Sequence, residues 1–378
     1  MIPDTPAAVS INRVRVVDLP GLPVDAEVRG RAAYHLLSGE AVVVAASPYA
    51  GALGLDDVEF HVGAADLSAA PTARRAIPRR VDAQLHSEDA AARAAAWAVG
   101  RRLGRNLAYI LLTLHRGDAV NRAARPDWTA AEWRRWSRVR RVWLGGGVMS
   151  GDLGCVIVAE ARALLQRLGY GDVLDVESTP YRGSLSLVGA ARYLPSGPRR
   201  ALCFDFGHTL VKGACFSLEG ATLAAMEWLP ATPTHWVHRN VPESARRYTG
   251  EEVRDFVVDV LARALREHPV DGDDLVLSVA AYVCGGRLLG NGVYARISDT
   301  YGDAGAALEA AVRARTGRAV RLHFIHDGTA AAALHAGTPG SAVIVVGTAL
   351  GVGFPPSTAT GLLALGGREG VALKGNLT

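Results

Sequence analysis

The segment Asp205-Phe206-Gly207-His208-Thr209-Leu210-Val211-Lys212 follows an apolar run, Ala201 to Phe206. A glycine turn lets the backbone approach a phosphate, and the N–H groups of the turn and the Thr209 hydroxyl can bind phosphate oxygens. Asp205 at the strand end can hold Mg²⁺, directly or through water. Lys212 can place a point charge near phosphates. The basic residues are almost all arginine, and the only lysines are Lys212 and Lys374. An ordinary β-turn uses the same residue types, so this segment alone leaves both readings open.

Three further segments carry chemistry of a related kind. Gly347-Thr348-Ala349-Leu350-Gly351-Val352-Gly353 follows the apolar run Ala342 to Val346 and reads as a second phosphate-type turn or a tight hairpin. His326-Asp327 ends the run Val320 to Ile325 and precedes a helix of small residues. An aspartate there can accept the proton of an attacking hydroxyl, or simply cap the helix. Gly145-Gly146-Gly147 ends the run Val139 to Leu144 and can receive the flat face of adenine or a ribose. A plain strand-to-helix turn explains those glycines equally well. There is no GxxxxGK[ST], HExxH or GxSxG segment. His235 and His238 have no third ligand nearby and read as polar surface.

The elements that must position these residues alternate between strand and helix, which predicts an α/β architecture. Short strands are expected at Val14 to Val17 and Ala41 to Ala46. A long helix is expected over residues 87–115, capped by Ser87, with Trp97, Leu103, Leu107, Ile110 and Leu114 at helical spacing. A Trp-rich helix over Thr129 to Ser137, a helix from Cys155 to Leu168, a strand near Val173 to Val176 and a helix starting at Gly189 complete the first half. The second half reads as strands at Ala201 to Phe206, Ala214 to Phe216, Ala221 to Trp228, Leu275 to Val283 and Val320 to Ile325. Its helices are expected at Glu251 to Glu267, Ala304 to Arg315 and Thr329 to Ala336, before the Gly347 hairpin. Pro195 to Arg200 reads as a linker.

Composition narrows the class. The chain has 378 residues, enough for two domains, with 49% hydrophobic and 21% charged residues, as in globular proteins. No apolar run is long enough to cross a bilayer, and residues 1–12 lack a secretory pattern. The four cysteines form no CxxC pair, which predicts reduced thiols and a cytoplasmic protein. A net charge of +4 and one dense basic run, Arg134 to Arg141, do not make a nucleic-acid face. The expected partner is a small-molecule substrate, with neither nucleic acid nor membrane; a homodimer is compatible.

Together the four segments resemble the actin-like (sugar kinase/heat-shock/actin) ATPase superfamily, and most closely the ROK family of repressors and sugar kinases. In that family a DxGGT loop, a catalytic Asp before small residues, a GTGxGxG loop and a GGG turn recur. The resemblance implies two RNase H-like domains with an interdomain nucleotide cleft, and the cofactors ATP and Mg²⁺. It implies phosphate contacts from Gly207, His208, Thr209, Lys212, Gly347, Thr348 and Gly351. It implies adenosine contacts from Gly145, Gly146 and Gly147, Mg²⁺ at Asp205, substrate contacts from His326 and Asp327, and Asp327 as general base. The order along the chain departs from the family. Residues 1–195 look like the usual C-terminal half and 201–340 like the usual N-terminal half, with 196–200 as linker and 341–378 returning to the 1–195 domain. Joining Thr378 to Met1 would restore the family order, which predicts a circular permutation with both ends on the 1–195 domain. His208 and Ala349 stand where the family has glycine, and His326 where it has asparagine. The implied activity is ATP-dependent phosphorylation of a sugar or sugar-like hydroxyl. The alternatives are an ATPase that drives a partner's conformational change and a non-catalytic nucleotide- or sugar-binding relative. No preceding helix-turn-helix suggests a repressor.

Overall fold

The computed structural model describes residues 2–5, 9–55, 71–197, 200–234, 248–290, 292–366 and 372–374. His235 and His238, the Pro198 end of the linker, Met1 and Thr378 lie outside the described residues. In chain order the helices are α1 Ala33–Leu36, α2 Gly39–Ala46, α3 Pro71–Gln84, α4 Ala90–Arg116, α5 Ala119–Ala123, α6 Ala130–Ser137, α7 Asp152–Arg167, α8 Leu185–Ala191, α9 Gly250–Glu267, α10 Ala295–Tyr301, α11 Ala304–Thr316 and α12 Asp327–Ala333. The strands are β1 Arg141–Gly145, β2 Asp175–Ser178, β3 Arg200–Phe206, β4 Leu210–Glu219, β5 Thr222–Trp228, β6 Thr232–Pro233, β7 Asp274–Val279, β8 Tyr282–Cys284, β9 Arg287–Leu289, β10 Arg321–His326, β11 Ser341–Val346, β12 Leu350–Gly353, β13 Ala364–Leu365 and β14 Ala372–Lys374. They form two compact units, one of residues 8–184 and 339–354, the other of 1–7, 185–338 and 355–378.

The 8–184 unit is built on a sheet in the order β12-β11-β1-β2. Strand β1 runs parallel to both neighbours, and β11 turns back into β12 as an antiparallel hairpin. The apolar residues Val142, Leu144, Ile344 and Val346 are fully buried in these strands. Helix α4 shares one hydrophobic cluster with them. Asp89 caps its start, accepting from Ala91 N at 2.8 Å, and Gly117 ends it in the left-handed region. Leu103, Leu107, Ile110 and Leu114 all face the core. Ser87 is therefore not the cap, and Trp97 is not core: it is 38% exposed, with the Arg101 guanidinium over its ring. Helix α6 starts at the reciprocal Thr129–Glu132 capping box.

Two expected strands fail in this unit. Ala41 to Ala46 lies in α2, because Ser38 accepts from Ala41 N and so nucleates a helix from a run whose length suits either state. Val14 to Val17 contributes only an isolated bridge, Arg15 with Ala32.

The 185–338 unit is built on the order β10-β7-β3-β4-β5. Strands β3, β4 and β5 form an antiparallel meander. Strand β7 then runs parallel to β3, and β10 parallel to β7. Five of the seven residues of β3 are apolar and buried, the pattern of a central strand. Leu275 to Val283 breaks into β7 and β8, and β8 pairs with β9 away from the sheet. Gly189 is inside α8 rather than at its start.

Residues 185–194 and 355–378, which the sequence reading grouped with 1–184, belong to this unit. Strands β13 and β14 pair in parallel with β5. The buried Arg192 donates to the carbonyls of Leu363 and Ala333. The described residues at both ends also lie here rather than in the 8–184 unit: Thr5 bridges Val283, and β14 pairs with β5.

Candidate functional site

The parallel strands β3, β7 and β10 bring their carboxyl ends to one edge of the sheet, the edge at which open α/β sheets receive ligands. Asp205, next to the end of β3, is paired in register with Ser278 on β7. Ser278 Oγ donates to Asp205 Oδ1 at 2.8 Å. Val279 pairs with His326 on β10, so Asp327 follows at the same edge. Lys212 sits directly opposite Asp205 on the antiparallel β4, and opposed residues share a face.

Electrostatics tie these groups together. Burial pushes the Asp205 carboxyl above its ordinary range; the Lys212 charge opposes the rise, the Asp327 charge adds to it, and the Ser278 hydrogen bond opposes it. Asp205 thus feels one lysine and one further carboxylate in a desolvated setting, which favours a cation beside it. Among the described residues no group of three or more His, Cys, Asp or Glu side chains gathers as a metal cage. That donor set fits a Mg²⁺ that keeps waters and phosphate oxygens as its other ligands.

Asp327 is the first residue of α12, and the cap position belongs to His326, which makes no side-chain cap bond. The simple N-cap reading of Asp327 therefore does not hold. Asp327 Oδ1 accepts from Gly328 N at 2.6 Å and lies 3.1 Å from His326 Nε2.

The turn at residues 207–209 is anchored through its carbonyls. Tyr294 Oη donates to Gly207 O at 2.8 Å, Thr234 Oγ1 to His208 O, and Thr234 N to Thr209 O at 3.1 Å. Gly207 N closes the turn on itself, donating to Asp205 O and Leu210 O at 3.2 Å each. The His208 imidazole lies against Gly292, where an added Cβ would stand 3.3 Å from its Nε2.

The 8–184 unit holds the other two segments. Gly145 ends β1 opposite Val345 of β11, so the turns after the two strands are neighbours. Gly146 has φ 99°, and a Cβ there would stand 2.5 Å from Val346 O. Both facts require glycine. Gly146 N donates to Arg182 O at 3.0 Å, whereas an added Cβ at Gly147 would meet nothing within 4 Å. In the second turn Gly347 N donates to Ala349 O at 3.1 Å, and Gly347 O accepts from Gly39 N at 2.7 Å. Thr348 is at the bend. Gly351 lies within β12, paired with Val345, rather than at the tip. Neither His208 nor Ala349 has positive φ; among the described residues Arg182 alone of the non-glycines does, at 38°. A side chain at those two positions thus carries no backbone strain.

Several residues at these turns had no signal in the sequence. The nearly buried Asn12 donates to Leu350 O at 2.8 Å and accepts from Leu350 N at 2.9 Å, bracing the second turn. Ser278, Tyr282 and Arg182 are likewise remote in sequence from the segments they touch.

The arrangement can hold a phosphate at a turn, a cation at a carboxylate, and a proton acceptor beside them. Comparison with protein-family models, with curated proteins and with solved structures found no match to the chain.

Proposed function

We propose that this protein is an ATP-dependent phosphotransferase of the actin-like fold, similar to ROK sugar kinases, with its halves in permuted order. The observation that carries the reading is the gathering of Asp205, Lys212, Ser278 and Asp327 at the carboxyl edge of a β10-β7-β3-β4-β5 sheet. That strand order, with the second strand antiparallel, is the RNase H-like order. The β12-β11-β1-β2 sheet is the same order without its third strand, provided β11 and β12 are counted first. This supports both the repeat of one fold and the permutation.

The roles follow from the chemistry. ATP supplies the phosphoryl group, and Mg²⁺ neutralises phosphate charge. Asp205 would hold the cation, and Lys212 would balance the buried carboxylate. Backbone N–H groups of residues 208–209 and 348–349 would bind phosphate oxygens, those of Gly207 and Gly347 being engaged within their turns. Gly147, exposed and with open space where a Cβ would stand, would offer the nucleoside a side-chain-free surface, with the buried Gly145 and Gly146 behind it. Asp327 would orient the acceptor hydroxyl and take its proton.

The test is a screen of purified protein with Mg-ATP against sugars, cyclitols and pantothenate. Phosphorylation of one class is expected, with Asp327→Asn lowering turnover about 10²–10⁴-fold at nearly unchanged Mg-ATP affinity. ATP turnover that needs no acceptor would instead make it an ATPase. Absence of Mg-ATP binding would leave a non-catalytic relative.

A further inference from the structure

We infer that His326 is a positioning residue that holds one oxygen of Asp327, so that the acceptor's proton is taken at the other; this rests on the reading of Asp327 as the base. His326 closes β10 and is 4% exposed. Its Nε2 lies 3.1 Å from Asp327 Oδ1. The same oxygen accepts from Gly328 N at 2.6 Å. A carboxylate turns almost freely about its last torsion unless hydrogen bonds hold it. Gly328 N on Oδ1, with the His326 ring nitrogen 3.1 Å from the same oxygen, sets the plane of the carboxylate and leaves Oδ2 for the proton-accepting task.

The imidazole is itself held. Tyr282 stacks on it with ring centroids 4.8 Å apart and planes 19° from parallel. Tyr282 opens β8, whose next residue, Val283, exchanges backbone hydrogen bonds with Thr5 at 2.6 and 3.2 Å. The Thr5 hydroxyl lies 2.6 Å from that of Thr329 on α12. The N-terminal segment, β8 and the first turn of α12 thus brace one another around the His326–Asp327 contact. The role requires that neutral His326 carry its proton on Nε2.

An asparagine amide ends nearer the backbone than Nε2, whereas a glutamine amide reaches the same place. That difference makes the role testable in the full-length protein. His326→Gln is expected to keep kcat within about threefold, while His326→Leu and His326→Asn lose about 10–100-fold in kcat, with KM for Mg-ATP unchanged. Tyr282→Leu, which leaves the hydrogen-bonding groups in place, is expected to give a smaller loss of the same kind. Histidine-labelled ¹⁵N NMR is expected to show His326 as the Nε2–H tautomer, with its signals shifted by Asp327→Asn. An Nδ1–H tautomer, or signals indifferent to Asp327→Asn, overturns the inference even if no variant folds well enough for kinetics. Equal kcat for the Gln and Leu variants of an active enzyme also overturns it and leaves the kinase reading standing. A wild type without phosphotransfer overturns the kinase reading instead, and the NMR result still decides whether His326 holds Asp327.

Discussion

At the scale of single residues, the pairing of Lys212 with Asp205 is the informative feature. Counting along the chain sets Lys212 seven positions after Asp205 and gives no relation in space. The hairpin of β3 and β4 places them face to face. The lysine charge opposes the burial that lifts the Asp205 carboxyl. Lys212→Ala leaves that carboxylate desolvated beside Asp327 without its cation. We expect Mg-ATP affinity to fall about 10–100-fold, the scale of a lost charged contact. Calorimetry of Lys212→Ala beside Lys374→Ala checks this, and equal small effects would make Lys212 an ordinary surface cation. Asp205, Asp327 and both glycine turns could be picked out from the sequence because their residue types are tied to strand ends. Ser278, Asn12 and Tyr282 could not, since each acts through a partner distant along the chain.

At the scale of elements, α8 and α12 touch through small residues. A Cβ added at Gly189 would stand 1.9 Å from Ala330 O. Gly189→Ala must therefore push apart α8 and the helix that begins at Asp327. We expect a loss of about 2–4 kcal/mol, read as a shift of the urea midpoint, and a larger loss of turnover than of nucleotide binding. A midpoint unchanged from wild type would show that the two helices do not pack so closely. The segment after α12 carries a pH dependence. His335 is pushed down to about 4, first by burial and then by the Arg192 charge. Between pH 6.5 and 4 the unfolded chain binds this proton and the folded chain does not, so the contribution is whole above pH 6.5 and lost as pH falls to 4. Allowing for partial exposure, it amounts to about 2 kcal/mol. Urea midpoints at pH 7 and pH 4.5 should therefore differ less for His335→Gln than for the wild type. Identical differences would show that His335 is solvated.

At the scale of the whole molecule, the proposed permutation is a statement about connectivity and not about packing. The described residues of both ends lie in the 185–338 unit, where Thr5 bridges Val283 and β14 pairs with β5. A chain that starts at residue 200, runs to Thr378, and continues through a flexible linker of about ten residues into 1–197 would restore the family order. We expect it to fold with the same far-UV circular dichroism and a Tm within several degrees of the natural chain. A chain that collapses without cooperative unfolding would show that the present order is needed for the fold. No helix among the described residues is long and apolar enough to cross a membrane.

The sequence alone determined most strands and helices of this protein, because β3, β10 and β11 are short apolar runs bounded by turn residues and α4 and α9 repeat at helical spacing. It also marked Gly146, where φ and the nearness of Val346 exclude every side chain. Local pattern misread Ala41 to Ala46, since an apolar run of that length suits either state until a cap and a core choose between them. It also grouped residues 355–378 with 1–195, because pairing to an edge strand such as β5 leaves no mark on the segment that pairs. Only the tertiary structure set Lys212 across from Asp205, Ser278 beside it, and Tyr282 on the ring of His326. Those contacts depend on strand register and on chain segments far apart in sequence, and spacing along the chain carries no information about either.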